Sequence, residues 1–179
     1  KHIMTKDGGD YSKLNMIPST IQDVKTALTT NQVDTVWVYY AWDGIALEQA
    51  GFDTNFINFA EQDKNLDFYS PVIIANNDYI KNNPEQAKAF VQAAKKGYEF
   101  AEENPKEAAD ILCENAPELD KDIVGRSQEW LADKYTADSE SWGYIDPKRW
   151  NCFYNWLYNT KAINYKISEN TGFTDDLLK

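Results

Sequence analysis

The chain predicts an α/β fold, and three observations carry that expectation. Val33 to Tyr39 is rich in β-branched and aromatic residues, the composition of a strand covered on both faces. The run leads directly into Ile45, Leu47 and Ala50, a short amphipathic helix that Gly51 can stop. Helix and strand signals alternate as far as Asn65, beyond which the pattern is mostly helical. Ligands in open α/β sheets sit beyond the carboxyl ends of the strands. Tyr39, Tyr40, Trp42 and Asp43 fall at that end.

Taken in order, Lys6-Asp7-Gly8-Gly9-Asp10 is turn chemistry closing a first helix, and a short strand is expected through Leu14, Met16 and Ile17. Ser19 can cap the next helix with Gln22 as its capping-box partner, Ile21, Val24, Ala27 and Leu28 as its apolar face and Asn31 as its end. Asn55 to Phe59 reads as a short strand. Asp67 to Ala75 reads as another, with Pro71 near its start, where no ladder bond is needed.

Two helix starts of one design follow, Asn83-Pro84-Glu85-Gln86 and Asn104-Pro105-Lys106-Glu107, each an Asn cap before a first-turn proline. The first helix should bury Ala87, Phe90, Val91, Ala94 and Tyr98, and the second Ala108, Ile111 and Leu112. Two copies do not make a solenoid. Asp120 can cap a helix carrying Ile123, Val124, Trp130 and Leu131, and Asp146-Pro147 another carrying Trp150, Phe153, Tyr154 and Leu157. Trp142, in the loop between them, stands off any helical stripe; it is either an aromatic lid on the local core or part of a site.

At 179 residues the chain is long enough for one ordinary domain or two small lobes. A formal net charge of −11 argues against nucleic acid or an anionic membrane surface as partner, because both require basic patches. The acidic residues are spread along helices, as at Glu99, Glu102, Glu103 and Glu107, where they read as a solvated face. No apolar run approaches the roughly 18 residues needed to span a bilayer. The sequence begins at Lys1 inside an amphipathic segment containing Ile3 and Met4, which predicts preceding sequence. Cys113 and Cys152 lack metal-site spacing and are expected as two unpaired, mostly buried thiols.

Catalytic readings find little support. His2, the one histidine, sits at the terminus, which argues against a His-based triad or a histidine-rich metal site; a glycine-rich phosphate loop is also missing from the sequence. No cofactor is expected. Asp43 with Glu48 could do acid–base work, but nothing in their spacing marks it, and Glu48 reads as solvated or capping. Aromatics beside one carboxylate suit binding instead, since flat rings stack on a heteroaromatic ligand and a carboxylate accepts from its amino group. Trp37 is expected to be sheet core, and Trp42 to face the ligand.

These landmarks resemble a known family. Lys6 to Asp10, Val33-Asp34, Tyr39 to Gly44, Asn104-Pro105-Lys106-Glu107-Ala108, Trp142-Gly143-Tyr144 with Asp146-Pro147 and Trp150, and the tail Phe173-Thr174-Asp175-Asp176 look like the solute-binding proteins of ABC transporters for thiamine pyrimidine precursors. Relatives of that family bind nitrate, sulfonates, taurine or riboflavin. Where the family commonly shows Tyr-Trp-Asn-Trp-Glu-Gly, this chain has Tyr39-Tyr40-Ala41-Trp42-Asp43-Gly44. Asp43 therefore reaches about 1.5 Å less far than a glutamate would.

The resemblance implies a two-lobe, type II periplasmic-binding-protein-like fold of which this chain is the C-terminal portion. Residues 1–66 would be part of the second α/β lobe, and residues 67–179 the returning, mostly helical part of the first. It implies a non-enzymatic, extracytoplasmic protein, in the periplasm or lipid-anchored at the cell surface, that hands an aminopyrimidine to permease subunits by closing around it. Tyr39, Tyr40 and Trp42 would wall the ligand and Asp43 would accept from it. Ser19 with the following helix N-terminus would donate, and Ser70 and Trp142 would contribute from the facing lobe. The alternatives are a binding protein for another small solute, a secreted glycan- or protein-binding domain, and a fungal-type pyrimidine synthase, for whose histidine and pyridoxal phosphate chemistry this sequence offers no matching motif.

Overall fold

The computed structural model describes residues 1–18, 21 and 23–179, and the described residues are helical. Nine α-helices follow one another among them: α1 (His2–Lys6), α2 (Val24–Thr29), α3 (Ile45–Gln49), α4 (Phe59–Gln62), α5 (Asn77–Asn82), α6 (Pro84–Glu103), α7 (Pro105–Asn115), α8 (Lys121–Ala132) and α9 (Pro147–Asn159). A single π turn, Tyr40–Gly44, runs into α3.

Local chemistry sets most helix ends where the sequence predicts them. Asp120 accepts from the backbone N–H groups of Asp122 and Ile123, and Asp146 from that of Arg149, so both acidic caps form. Gly8 and Gly51 take positive φ just beyond α1 and α3, and Asn31 does the same beyond α2. The two Asn-Pro starts place proline in the first turns of α6 and α7. Their asparagines work backwards, however. Asn83 Nδ2 donates to the carbonyl of Tyr79 and Asn104 Nδ2 to that of Phe100, so each satisfies the end of the preceding helix rather than the start of its own.

Ser19 and Gln22, the expected capping box, lie outside the described residues. The helix itself starts at Val24, where the Asp23 carboxylate accepts from the Thr26 N–H at 3.0 Å.

The expected α/β fold is corrected by the structure. Among the described residues there is no strand: residues 14–17, 35–39, 52–58 and 67–76 join helices without a ladder. A strand is a property of a pair. β-Branched composition prefers extended backbone, but each N–H and C=O needs an opposing segment before a sheet exists. None of these runs finds one, and their side chains are not covered either. Trp37 is 59% exposed where sheet core was expected, and Ile74 is 87% exposed. The type II two-lobe architecture inferred by resemblance is not what these residues build.

The best-packed contact is between α7 and α8, where Ala109, Cys113 and Val124 are buried with Leu119 closing the connecting loop. α7 turns Ala109 and Cys113 inward, whereas the predicted Ile111 and Leu112 stay exposed; on α6, Phe90 is 63% exposed. Small side chains let the helices approach closely, and that selected the face. Further ties come from polar groups: Gln128 donates to the carbonyl of Ala101, and Gln92 to that of Leu178. α9 is joined to the 64–66 turn by Arg149, which pairs with Asp67, and by the Cys152 thiol, which points at Asn65 Oδ1. Both cysteines are free, Cys113 buried and Cys152 half-buried. The total accessible surface is 13077 Å², against about 8,900 Å² for a compact monomer of 20.6 kDa.

Candidate functional site

Residues 39–44 form the framework of the candidate site. Tyr39 is the last extended residue, and its carbonyl accepts from the N–H groups of both Trp42 and Asp43 at 3.0 Å. The wider π turn displaces successive side chains from a regular helical stripe, a distortion frequent at functional sites. Trp42 is 41% exposed and Tyr39 is also exposed, so both side chains are open to solvent. Asp43 lies half-buried beside Trp42, and among the described residues its carboxylate has no hydrogen-bond partner. Other aspartates in the chain, Asp10, Asp23, Asp63, Asp120 and Asp146, each accept from backbone N–H groups.

Tyr40 is used differently from its neighbours. Its ring lies between Phe56, at 4.8 Å, and Trp130 of α8, at 5.0 Å between centroids. Its hydroxyl donates to Glu48 Oε1 at 2.5 Å, and Glu48 Oε2 accepts from Arg126 Nη2 at 2.9 Å. The hydrogen bond to the Glu48 carboxylate, helped by burial, raises the phenol above its ordinary pKa. Tyr40 thus ties the turn to α8.

The remaining predicted positions separate. Ser70 is exposed, at a cis Ser70–Pro71 bond. It does not line the small aromatic cleft formed by Phe68, Tyr69, Arg149, Trp150, Phe153 and Tyr154. Trp142 is 9% exposed and stacked on Tyr98 at 4.7 Å, the lid on a local core and not a ring of the turn. Ser19 lies outside the described residues. His2 is paired with Asp63 at 2.9 Å and set edge-on to Trp156. Among the described residues no group of His, Cys, Asp and Glu is arranged to hold a metal ion.

Sequence reasoning read Glu48 as solvated or capping and Trp130 as part of a helix stripe, and it singled out neither Arg126 nor Phe56. One signal was present: Tyr40, Gly44 and Glu48 recur at four-residue intervals, the spacing of neighbours on a helix face. Arg126 and Trp130 had none, because they reach the turn only through tertiary packing.

Comparison with known proteins adds a second line of observation. A family model described as NMT1/THI5 like matches residues 1–108, the stretch that contains the turn. The formylaminopyrimidine-binding protein of Halalkalibacterium halodurans is 27% identical over 163 residues, covering 88% of this chain and 48% of that protein. The chain spans about half the length of the curated relative it matches.

Proposed function

We propose that this chain, which belongs to the NMT1/THI5-like family, binds a small aminopyrimidine without transforming it, as the solute-binding component of an ABC importer. The observation that carries this reading is the sequence of Trp42 and Asp43 on the π turn, an exposed indole followed by a half-buried carboxylate without a protein partner among the described residues. Trp42 and Tyr39 stack on the ring, and Asp43 accepts from its amino group. Stacking contributes about 0.5–1.5 kcal/mol beyond burial. A charge-assisted hydrogen bond contributes about 1.5–3 kcal/mol.

The relative that shares 27% identity is named for binding a formylaminopyrimidine, which supports the same ligand class here. In this reading residues 1–66 carry the ligand turn, and residues 67–179 supply the helical body it packs on. Ser70, an exposed hydroxyl, and Ser19 are further donors to the ligand, whereas the Trp142 ring is stacked on Tyr98 and takes no part. Permease subunits are the onward partner, and the protein works outside the cytoplasm.

Calorimetry on the 179-residue chain tests the reading. Formylaminopyrimidine should bind more tightly than taurine, nitrate or an alkanesulfonate, and Asp43→Asn should weaken it by about 1.5–3 kcal/mol, roughly ten- to 150-fold, while Asp43→Glu is tolerated. Tighter binding of any of those anions overturns the ligand class. An Asp43→Asn variant with parental affinity removes the carboxylate from the site.

A further inference from the structure

We infer that Arg126 is a positioning residue for the ligand turn: through Glu48 it holds Tyr40, and with it Trp42 and Asp43, in register against α8. This rests on the binding reading above. Glu48 uses both carboxylate oxygens, one on the Tyr40 hydroxyl at 2.5 Å and the other on Arg126 Nη2 at 2.9 Å. One side chain therefore bridges a phenol on the turn and a guanidinium on α8.

The rest of α8 is arranged to match. Asp122, Arg126 and Trp130 recur at four-residue intervals on the helix. Asp122 accepts from Gln49 Nε2 at the end of α3 at 3.1 Å, Arg126 meets Glu48, and Trp130 packs on Tyr40. Three successive turns of one helix thus grip three points of the segment from Tyr40 to Gln49. Lys134 lies over the Trp130 ring at 4.4 Å and holds that indole in turn.

A π turn of five residues does not fix its own position, because its i→i+5 bonds are few and it sits at the joint between irregular chain and helix. Tertiary contacts must do so. The Arg126–Glu48 pair is exposed on both sides, 40% and 44%, so it adds little to overall stability. Its contribution is directional: the single Nη2–Oε2 contact holds one carboxylate oxygen and so keeps the other on the Tyr40 hydroxyl. Trp42 and Asp43, two and three residues on, inherit that placement.

The test uses the full chain with Arg126→Ala, Arg126→Lys and Glu48→Gln, and reads hydrogen exchange of the 39–49 backbone together with affinity for formylaminopyrimidine. Arg126→Ala should speed exchange at the Trp42 and Asp43 amides by about three- to tenfold, with an unfolding midpoint near the parent's. It should weaken probe binding by a similar factor. Arg126→Lys should recover part of both, and Glu48→Gln should reproduce the loss while keeping an acceptor for Tyr40. Added salt should weaken binding by the parent more than by Arg126→Ala, since only the parent has the Arg126–Glu48 pair to screen.

Unchanged exchange in Arg126→Ala overturns the inference, as does acceleration spread evenly over all helices. If Arg126→Ala fails to fold, Glu48→Gln decides the matter by the same two readouts. A parent chain that does not bind the probe sinks the binding reading alone, and exchange still decides whether Arg126 orders the turn.

Discussion

Gly44 lies directly beneath the ring of Tyr40: a β-carbon at Gly44 would stand 2.5 Å from Tyr40 Cδ2. The glycine is not there for its dihedral freedom, since its φ of −61° is ordinary helix. It is there for space. The ring cannot retreat, because Phe56 and Trp130 flank it and Glu48 holds its hydroxyl. Gly44→Ala should therefore lower the unfolding midpoint: overpacking costs about 1–3 kcal/mol, and this outweighs the roughly 1 kcal/mol by which alanine normally exceeds glycine in a helix. In a Tyr40→Ala background the sign should reverse. Stabilisation by Gly44→Ala in the parent would mean that the ring does not occupy that space.

The tryptophan before the turn and the one within it, Trp37 and Trp42, should behave alike in stability and differently in binding. Both are exposed, so Trp37→Ala and Trp42→Ala should each leave thermal unfolding nearly unchanged, within about 1 kcal/mol of the parent. Only Trp42→Ala should weaken aminopyrimidine binding, by about the stacking increment of 0.5–1.5 kcal/mol plus lost burial. Parallel losses of affinity in both variants would extend the site to Trp37, whose ring is otherwise edge-on to Phe59.

Asp63 gives a pH prediction with a definite sign. The hydrogen bond from the His2 ring, followed by that from the Asn65 N–H and the nearby Lys6 ammonium, holds its carboxyl well below the usual carboxylate range. A depressed folded pKa means that the charged carboxylate stabilises the fold fully above the unfolded value, about 3.9. That contribution is lost as pH falls from there through the folded value. Carboxyl NMR should find Asp63 still ionised where exposed aspartates are half protonated, and His2→Ala should move its midpoint upward. An ordinary Asp63 midpoint in the parent would mean that the His2 bond does not form in solution.

Exposed apolar surface predicts association. Val72, Ile73 and Ile74 on one irregular run and Ile111, Leu112 and Phe90 on α6 and α7 are all open to solvent. The chain as a whole leaves about 4,000 Å² more surface exposed than a compact monomer of its mass. Sedimentation of this chain should show concentration-dependent self-association, and a hydrophobic dye should brighten on it without denaturant. A sharp monomer with no dye response would mean that these side chains pack more closely in solution than in this structure.

The sequence by itself determined what depends on neighbours a few residues away. Asp120 and Asp146 cap their helices, Pro84 and Pro105 open theirs, and Asn31 and Gly51 sit beyond helix ends, because each of these is settled within one turn of backbone. Family membership was legible for a related reason: runs such as Tyr39 to Gly44 keep their order wherever the chain folds. Only the tertiary structure decided pairing and burial. Val36 to Tyr39 and Val72 to Ile74 have the composition of strands, yet a ladder needs a partner at the right distance, and none of the described segments supplies one. The same physics moved Trp37 out to solvent, turned Trp142 onto Tyr98, and set Tyr40 between Glu48 and Trp130, with Arg126 behind Glu48. Contacts between residues 78 positions apart, as Arg126 and Glu48 are, leave no period in a sequence; they exist only once the chain has folded.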